Sequence, residues 1–259
     1  MNSSAVRLQK AMADAGLASR REAENLIRQG LVRVNGQVVT EMGVKVMPGQ
    51  DRLEISGQTV RLTPPTVREV WAFYKPKRCV STLSDPQGRP TIKDYFPPTR
   101  QRLVPVGRLD YDAEGLMLLT SDGEFAQRVA HPSHGVHKVY LVKVKGLVDP
   151  AALARQAQEP VLDGKRRQEI QARILHTINQ KTWMEVVLRE GIKHHIKKFF
   201  MTMGHRVEKI KRFQVGPVGL DDLQPGQSRK LTAEEISRFD RPHAPKQLSK
   251  KALAESRRD

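Results

Sequence analysis

The chain has 259 residues, with 45 Lys and Arg against 28 Asp and Glu, which gives a formal net charge of +17. That length allows one large domain or two modest ones, and the charge surplus points to a polyanionic partner. The single cysteine, Cys79, excludes an intrachain disulfide framework and a cysteine-rich zinc module, and it fits a reducing compartment. No stretch approaches the roughly 20 apolar residues of a membrane span, and Arg7, Lys10 and Asp14 stand where a signal peptide needs its apolar segment. These features describe a soluble, cytoplasmic, polyanion-binding protein.

In chain order, Leu8, Ala11, Met12 and Ala15 fall on one helix face, and Gly16 stops that helix. Ser19 and Glu22 have the spacing of a capping box and open a second helix with Ala23, Leu26 and Ile27 inward; Gly30 ends it. Asn35-Gly36 between two β-rich runs predicts a hairpin, because both turn residues tolerate positive φ. Pro64-Pro65 breaks helix and sheet alike and marks a linker over 64–69. Beyond it, strands are predicted at Val70–Tyr74, Gly115–Thr120, Lys138–Lys145, Gln168–His176 and Thr182–Arg189. Asp149-Pro150 caps a helix between them, and Ile196, Phe199, Phe200 and Met203 mark another, closed by Gly204. Strands and helices mix without regular alternation, which favours an α+β domain over 70–239. Residues 240–259 carry six basic and three acidic residues and no aromatic one, and read as a mobile basic tail.

The first module, 1–63, sets Arg7, Lys10, Arg20, Arg21, Arg28 and Arg33 on or beside its two helices. Taken alone, these are either solvated helix charges or a phosphate-facing surface. From Val6 to Val39 the run resembles the S4-type RNA-binding domain, through Gly16-Leu17-Ala18-Ser19-Arg20-Arg21-Glu22-Ala23, Ile27-Arg28-Gln29-Gly30 and Val32-Arg33-Val34-Asn35-Gly36. That resemblance implies a helical pair docking on structured RNA, read by shape and phosphates.

The stretch Gly107-Arg108-Leu109-Asp110 through Gly115-Leu116-Met117-Leu118-Leu119-Thr120 to Asp122-Gly123 reads as an Asp-bearing turn followed by a buried strand. A turn Asp is ordinarily a cap, and Asp110, Asp112 and Glu114 lack the continuation of a calcium loop. His131, His134 and His137 are interrupted by Pro132 and do not form a zinc pattern. In its order and spacing the stretch resembles the pseudouridine synthases of the RsuA/RluB/RluE/RluF group. Tyr74-Lys75-Pro76 with Asp85–Thr91, Val136-His137-Lys138-Val139-Tyr140, and Glu190-Gly191 through His194-His195-Ile196-Lys197-Lys198 resemble the other family motifs. Three positions depart from them: Ala113 stands where Thr or Ser is usual, Arg78 where Gly is common, and His195 where Gln or Glu is usual.

The resemblance implies a small S4-type domain followed by a mixed, mostly antiparallel-sheet catalytic domain, with no cofactor. It implies that Asp110 is the essential carboxylate, as nucleophile or as base on the sugar, with Lys197 as its cation and Tyr140 packed on the uracil face. Arg108 would lie near the gap left by a flipped nucleotide, because a stacked base cannot react. Lys198, together with Arg7, Lys10, Arg20, Arg21 and Arg28, would contact RNA. The expected partner is ribosomal RNA, with the large-subunit RNA preferred, bound by a monomer. A non-enzymatic ribosome-assembly factor using the same basic surfaces is the alternative, and charge-driven nonspecific binding is a third. The 5% aromatic content argues against a single-strand stacking platform.

Overall fold

The computed structural model describes residues 5–62, 68–96, 102–158, 161–166, 169–192 and 194–241, and then 245, 248, 253, 254, 256 and 257. The prolines of the expected linker, Pro64-Pro65, and Lys193 lie outside the described residues. By internal contacts the chain divides into two compact units: residues 1–68 with 100–102 and 121–123, and the remainder.

In the first unit β1 (Val6–Arg7) leads into α1 (Leu8–Asp14) and α2 (Arg20–Arg28), followed by β2 (Val32–Val34), β3 (Gln37–Val38), β4 (Lys45–Val46), β5 (Leu53–Ile55) and β6 (Gln58–Val60). Helix α2 begins at the predicted capping box: Ser19 Oγ accepts the Glu22 N–H at 3.1 Å, and Glu22 Oε2 accepts the Ser19 N–H at 3.2 Å. Such a cap contributes about 1 kcal/mol. Asn35 and Gly36 take φ of 52° and 84°, as the hairpin turn between β2 and β3 requires. Strands β3, β2, β5 and β6 form an antiparallel sheet. Leu8, Met12, Ala23, Ile27, Val32 and Leu53 form the small core between helices and strands.

In the second unit the order is β7 (Val70–Lys75), β8 (Val104–Val106), β9 (Glu114–Thr120), α3 (Gly123–Ala130), β10 (Lys138–Lys145), α4 (Pro150–Gln158), β11 (Val161–Leu162), β12 (Lys165–Arg166), β13 (Gln171–Ile178), β14 (Lys181–Leu188), α5 (His195–Thr202), β15 (Val207–Val215), β16 (Val218–Gly219), β17 (Ser228–Lys230) and α6 (Ala233–Ser237). The principal sheet runs β13-β14-β10-β15-β9-β7-β17, with β16 on β15 and β8 on β9. Its pairings are antiparallel except β9 with β15, where Glu114 meets Lys211 and Gly115 meets Arg212. The fold is therefore α+β with a mixed, mostly antiparallel sheet.

The structure adds to the predicted strands the short β8, β11, β12, β16 and β17 and the long β15. Strand β15 was not predicted: Val207, Ile210, Phe213 and Val215 are interleaved with Glu208, Lys209, Lys211 and Arg212, which hides the period of two. It is nevertheless central, because its neighbours β10 and β9 supply partners on both sides. Described residues beyond 241, in the segment expected to be a basic tail, make contacts with the sheet. Leu248 is buried against Val139, Leu141, Trp183 and Val187, its N–H donates to Glu185 Oε2 at 2.7 Å, and the Ser256 carbonyl lies 3.2 Å from His176 Nε2. Leu248 and Leu253 are the apolar anchors that the charge count of this segment obscures.

Candidate active site

The β8–β9 connection carries Asp110, and three groups from the end of β7 and the segment after it hold it. The buried Lys75 ammonium donates to the Ala113 carbonyl at 2.8 Å and the Pro76 carbonyl at 2.9 Å. Ser81 Oγ donates to the Leu109 carbonyl at 2.6 Å and accepts the Leu109 N–H at 3.1 Å. The Arg78 N–H donates to the Tyr111 carbonyl at 2.8 Å, and the Ala113 N–H closes the turn on the Asp110 carbonyl at 3.1 Å. These bonds fix both flanks of Asp110 and leave its carboxylate half-buried and facing a cavity. Arg78 sits at φ 58°, a left-handed conformation that glycine adopts without strain. A glycine at this position would therefore take the same backbone conformation without strain.

Gly115, five residues on, is required by packing. Its φ is 110°, and a Cβ there would stand 2.3 Å from the Arg212 carbonyl oxygen on β15. The parallel seam between β9 and β15 closes only over a hydrogen at this point.

The cavity is open to solvent, has a volume of about 330 Å³, and is lined by Arg108, Asp110, Lys138, Tyr140, His194, Lys197 and Arg212 among others. That volume suits one extruded nucleotide. Tyr140 and Lys138 come from β10, and Arg212 pairs with Tyr140 across the β10–β15 ladder, so the three share one sheet face. Helix α5 enters after His194, whose backbone is left-handed at φ 57°, and this turn aims Lys197 at the Asp110 loop.

Lys197 Nζ lies 3.6 Å from Asp110 Oδ2, but it donates at 2.6 and 2.7 Å to Asp112. His194 Nε2 stands 3.7 Å from the other Asp110 oxygen. Partial burial pushes the Asp112 carboxyl up, but the Lys197 hydrogen bonds and charge outweigh it and hold Asp112 below the usual carboxylate range. Burial lowers the Lys138 ammonium to about 8, and the Arg212 charge adds to the effect. Lys75 is lowered to about 8, first by burial, with Cys79, Asp110 and Asp112 opposing and Arg212 reinforcing.

Of the residues singled out in sequence, Asp110, Tyr140, Lys197 and Arg108 line one cavity. Lys198 does not; it pairs with Asp163 on the β11–β12 turn. Arg7, Arg20, Arg21 and Arg28 are exposed on the first unit, and Lys10 pairs with Asp14 at 3.3 Å. Sequence reasoning gave no catalytic role to Lys75, Ser81, Lys138, His194 or Arg212, and Arg212, read with its neighbours as part of an RNA-facing surface, is 3% exposed. The first motif signalled Lys75, and Lys138 lies two residues before Tyr140, but Arg212 was hidden within the unrecognised strand. His137 is buried and accepts from Arg189 Nε at 3.0 Å. Among the described residues no cluster of three or more His, Cys, Asp or Glu is placed to hold a metal ion. None of the described helices is long and apolar enough to cross a membrane.

A sheet-floored cavity with a loop carboxylate, a buried tyrosine and flanking cations defines a nucleotide-modifying enzyme, here preceded by a small helical module. Comparison with known proteins narrows this class. The S4 domain family matches residues 6–51, and the RNA pseudouridylate synthase family matches residues 69–202. The chain is 40% identical over 236 residues to the ribosomal large subunit pseudouridine synthase B of Bacillus subtilis, covering 90% of this chain and 95% of that protein. An uncharacterized RNA pseudouridine synthase of Aquifex aeolicus is also 40% identical, over 90% of this chain and 93% of its own length. A crystal structure of a pseudouridylate synthase aligns with a TM-score of 0.65 and 30% identity, over 90% of this chain and 99% of that one. The chain belongs to the RNA pseudouridylate synthase family.

Proposed function

We propose that the protein converts a uridine of ribosomal RNA to pseudouridine, with large-subunit RNA as the preferred substrate. The convergence of Asp110, Tyr140 and Lys197 on one nucleotide-sized cavity carries this reading. The name of the Bacillus subtilis relative supports the choice of subunit. Residues 1–63 act as the RNA grip, with Arg7, Lys10, Arg20, Arg21 and Arg28 toward phosphate, and residues 70–239 perform the reaction. The protein acts as a monomer in the cytoplasm.

In the mechanism, RNA delivers an extruded uridine with Arg108 at the cavity mouth, where it fills the gap in the stack. Tyr140, buried on the floor, packs on the base. Asp110 acts at the sugar, either as nucleophile at C1′ or as base at C2′. The loop bonds from Lys75, Ser81 and Arg78 hold it in place before substrate arrives. Lys197 Nζ and His194 Nε2 flank the two carboxylate oxygens of Asp110 at 3.6 and 3.7 Å. Bond C1′–N1 breaks, the ring turns, C5 joins C1′, the C5 proton leaves and N1 gains one; the product is an isomer, so no redox partner or water is consumed.

The test uses ribosomal RNA labelled with tritium at uracil C5. The wild-type protein releases label, and Asp110→Asn lowers release at least about 1000-fold while binding RNA with unchanged affinity. No release by the wild type, or full release by Asp110→Asn, overturns the reading. The assembly-factor alternative then stands if RNA binding persists.

A further inference from the structure

We propose that Lys138 and Arg212 form a two-cation cradle that takes up the negative charge of the uracil ring as its bond to the ribose breaks. This rests on the pseudouridine synthase reading and adds two groups that touch the reacting base.

Both side chains are deep in the unit: Arg212 is 3% exposed and Lys138 7%. Both line the cavity that holds Asp110 and Tyr140. Arg212 Nε donates to the Leu116 carbonyl at 2.7 Å, which fixes the guanidinium plane, while its buried Nη2 has no hydrogen-bond partner among the described residues. Lys138 Nζ makes one long bond, 3.4 Å, to the Arg189 carbonyl. Neither is paired with a carboxylate among the described residues. Two neighbouring cations without an anion are expensive to keep out of water. Their retention on a cavity floor is accounted for if negative charge arrives there during turnover.

The chemistry supplies that charge. When C1′–N1 breaks, its electron pair stays with the ring and spreads over N1, O2 and O4. Asp110 holds the sugar, as an ester at C1′ or by having taken the C2′ proton. C5 then bonds to C1′; the carboxylate leaves with its electron pair, or the C2′ proton returns. The C5 proton is lost and N1 gains one. The ring anion and the cationic pair are thus matched in charge, and Lys138 and Arg212 line the same cavity as the tyrosine proposed to pack on the base. A backbone phosphate is the other anion of the substrate, but exposed Arg108 at the mouth is better placed for it.

The experiment measures single-turnover loss of the uridine N-glycoside, RNA affinity and thermal unfolding for wild type, Asp110→Asn, Lys138→Gln, Arg212→Gln and Arg212→Lys. Arg212→Gln and Lys138→Gln should each slow the reaction about 100-fold with affinity within about threefold of wild type. Arg212→Lys, which keeps the charge, should retain at least about a tenth of the rate. With 5-fluorouridine at the target, whose ring anion is intrinsically more stable, the Gln variants should lose less than about tenfold. A folding defect would slow both substrates alike. The cradle is overturned if the Gln variants stay within about threefold of wild type, slow both substrates equally, or lose affinity and salt dependence instead of rate. The last outcome would assign the pair to phosphate. If Arg212→Gln does not fold, the Lys138→Gln and Arg212→Lys results decide. An inactive wild type removes the enzymatic reading itself, whereas an active wild type with an inactive Asp110→Asn and intact Gln variants removes only the cradle.

Discussion

Lys197 sits between two carboxylates and prefers the exposed one, Asp112, over Asp110 by about 1 Å. Asp112 takes the short hydrogen bonds of Lys197, and Asp110 keeps an ion pair with it at 3.6 Å. Lys138 offers a sharper test, because burial lowers it to about 8. A lysine lowered to that value is protonated below it and neutral above it. The single-turnover rate should therefore fall as pH rises through about 8, and Lys138→Arg, which stays charged, should flatten the profile between about pH 7 and 9. Lys75 titrates in the same window and is present in both proteins, so the difference between the two profiles reports Lys138. Identical profiles would contradict the assignment. The Gly107–Asp110 signature and Tyr140 stood out in the sequence through their resemblance to the family motifs, since taken alone they read as a turn aspartate and a strand packing residue. The choice of Lys197 for Asp112 was not legible there, since it depends on the left-handed turn at His194.

At the scale of elements, capping and turn chemistry made α1, α2 and the first hairpin readable from local residues. Strands β7, β9, β10 and β14 were readable because they carry long apolar runs and are buried on both faces. Strand β15 broke the rule by burying Lys211, Arg212 and Gln214 in a central position. Tertiary partners decide such a segment, not its own periodicity. The contact of Gly115 with β15 gives the element-scale prediction. Gly115→Ala puts a methyl group against the Arg212 backbone and forces the parallel seam apart. The expected cost is about 3 kcal/mol, seen as a lower thermal midpoint, together with loss of activity as Asp110 and Arg212 shift. An unchanged midpoint would show that the seam yields freely.

The whole molecule is a small basic module joined in sequence to a larger unit that buries its chemistry. The surplus of +17 suits a polymer of phosphates better than a small substrate. RNA affinity should fall steeply with salt, and replacing both Arg20 and Arg21 by Gln should lower the slope of log K against log salt by about 2, with the single-turnover rate at saturating RNA unchanged. A rate loss matching the affinity loss would place those arginines in the reaction instead. Two modules and their order could be read from the sequence, because each has its own motif. The packing of Leu248 and Leu253 could not, because these two leucines lie in a stretch whose charge dominates.

The bond from Arg212 to the Leu116 carbonyl joins residues 96 apart in the chain. Such a closure forms late, since a long loop must first be gathered in. The carboxylate turn is local, but the strand that finishes the reaction chamber arrives from far downstream. During refolding the helices and hairpins can therefore be complete while the protein is still inert, and competence appears only when that distant clasp shuts.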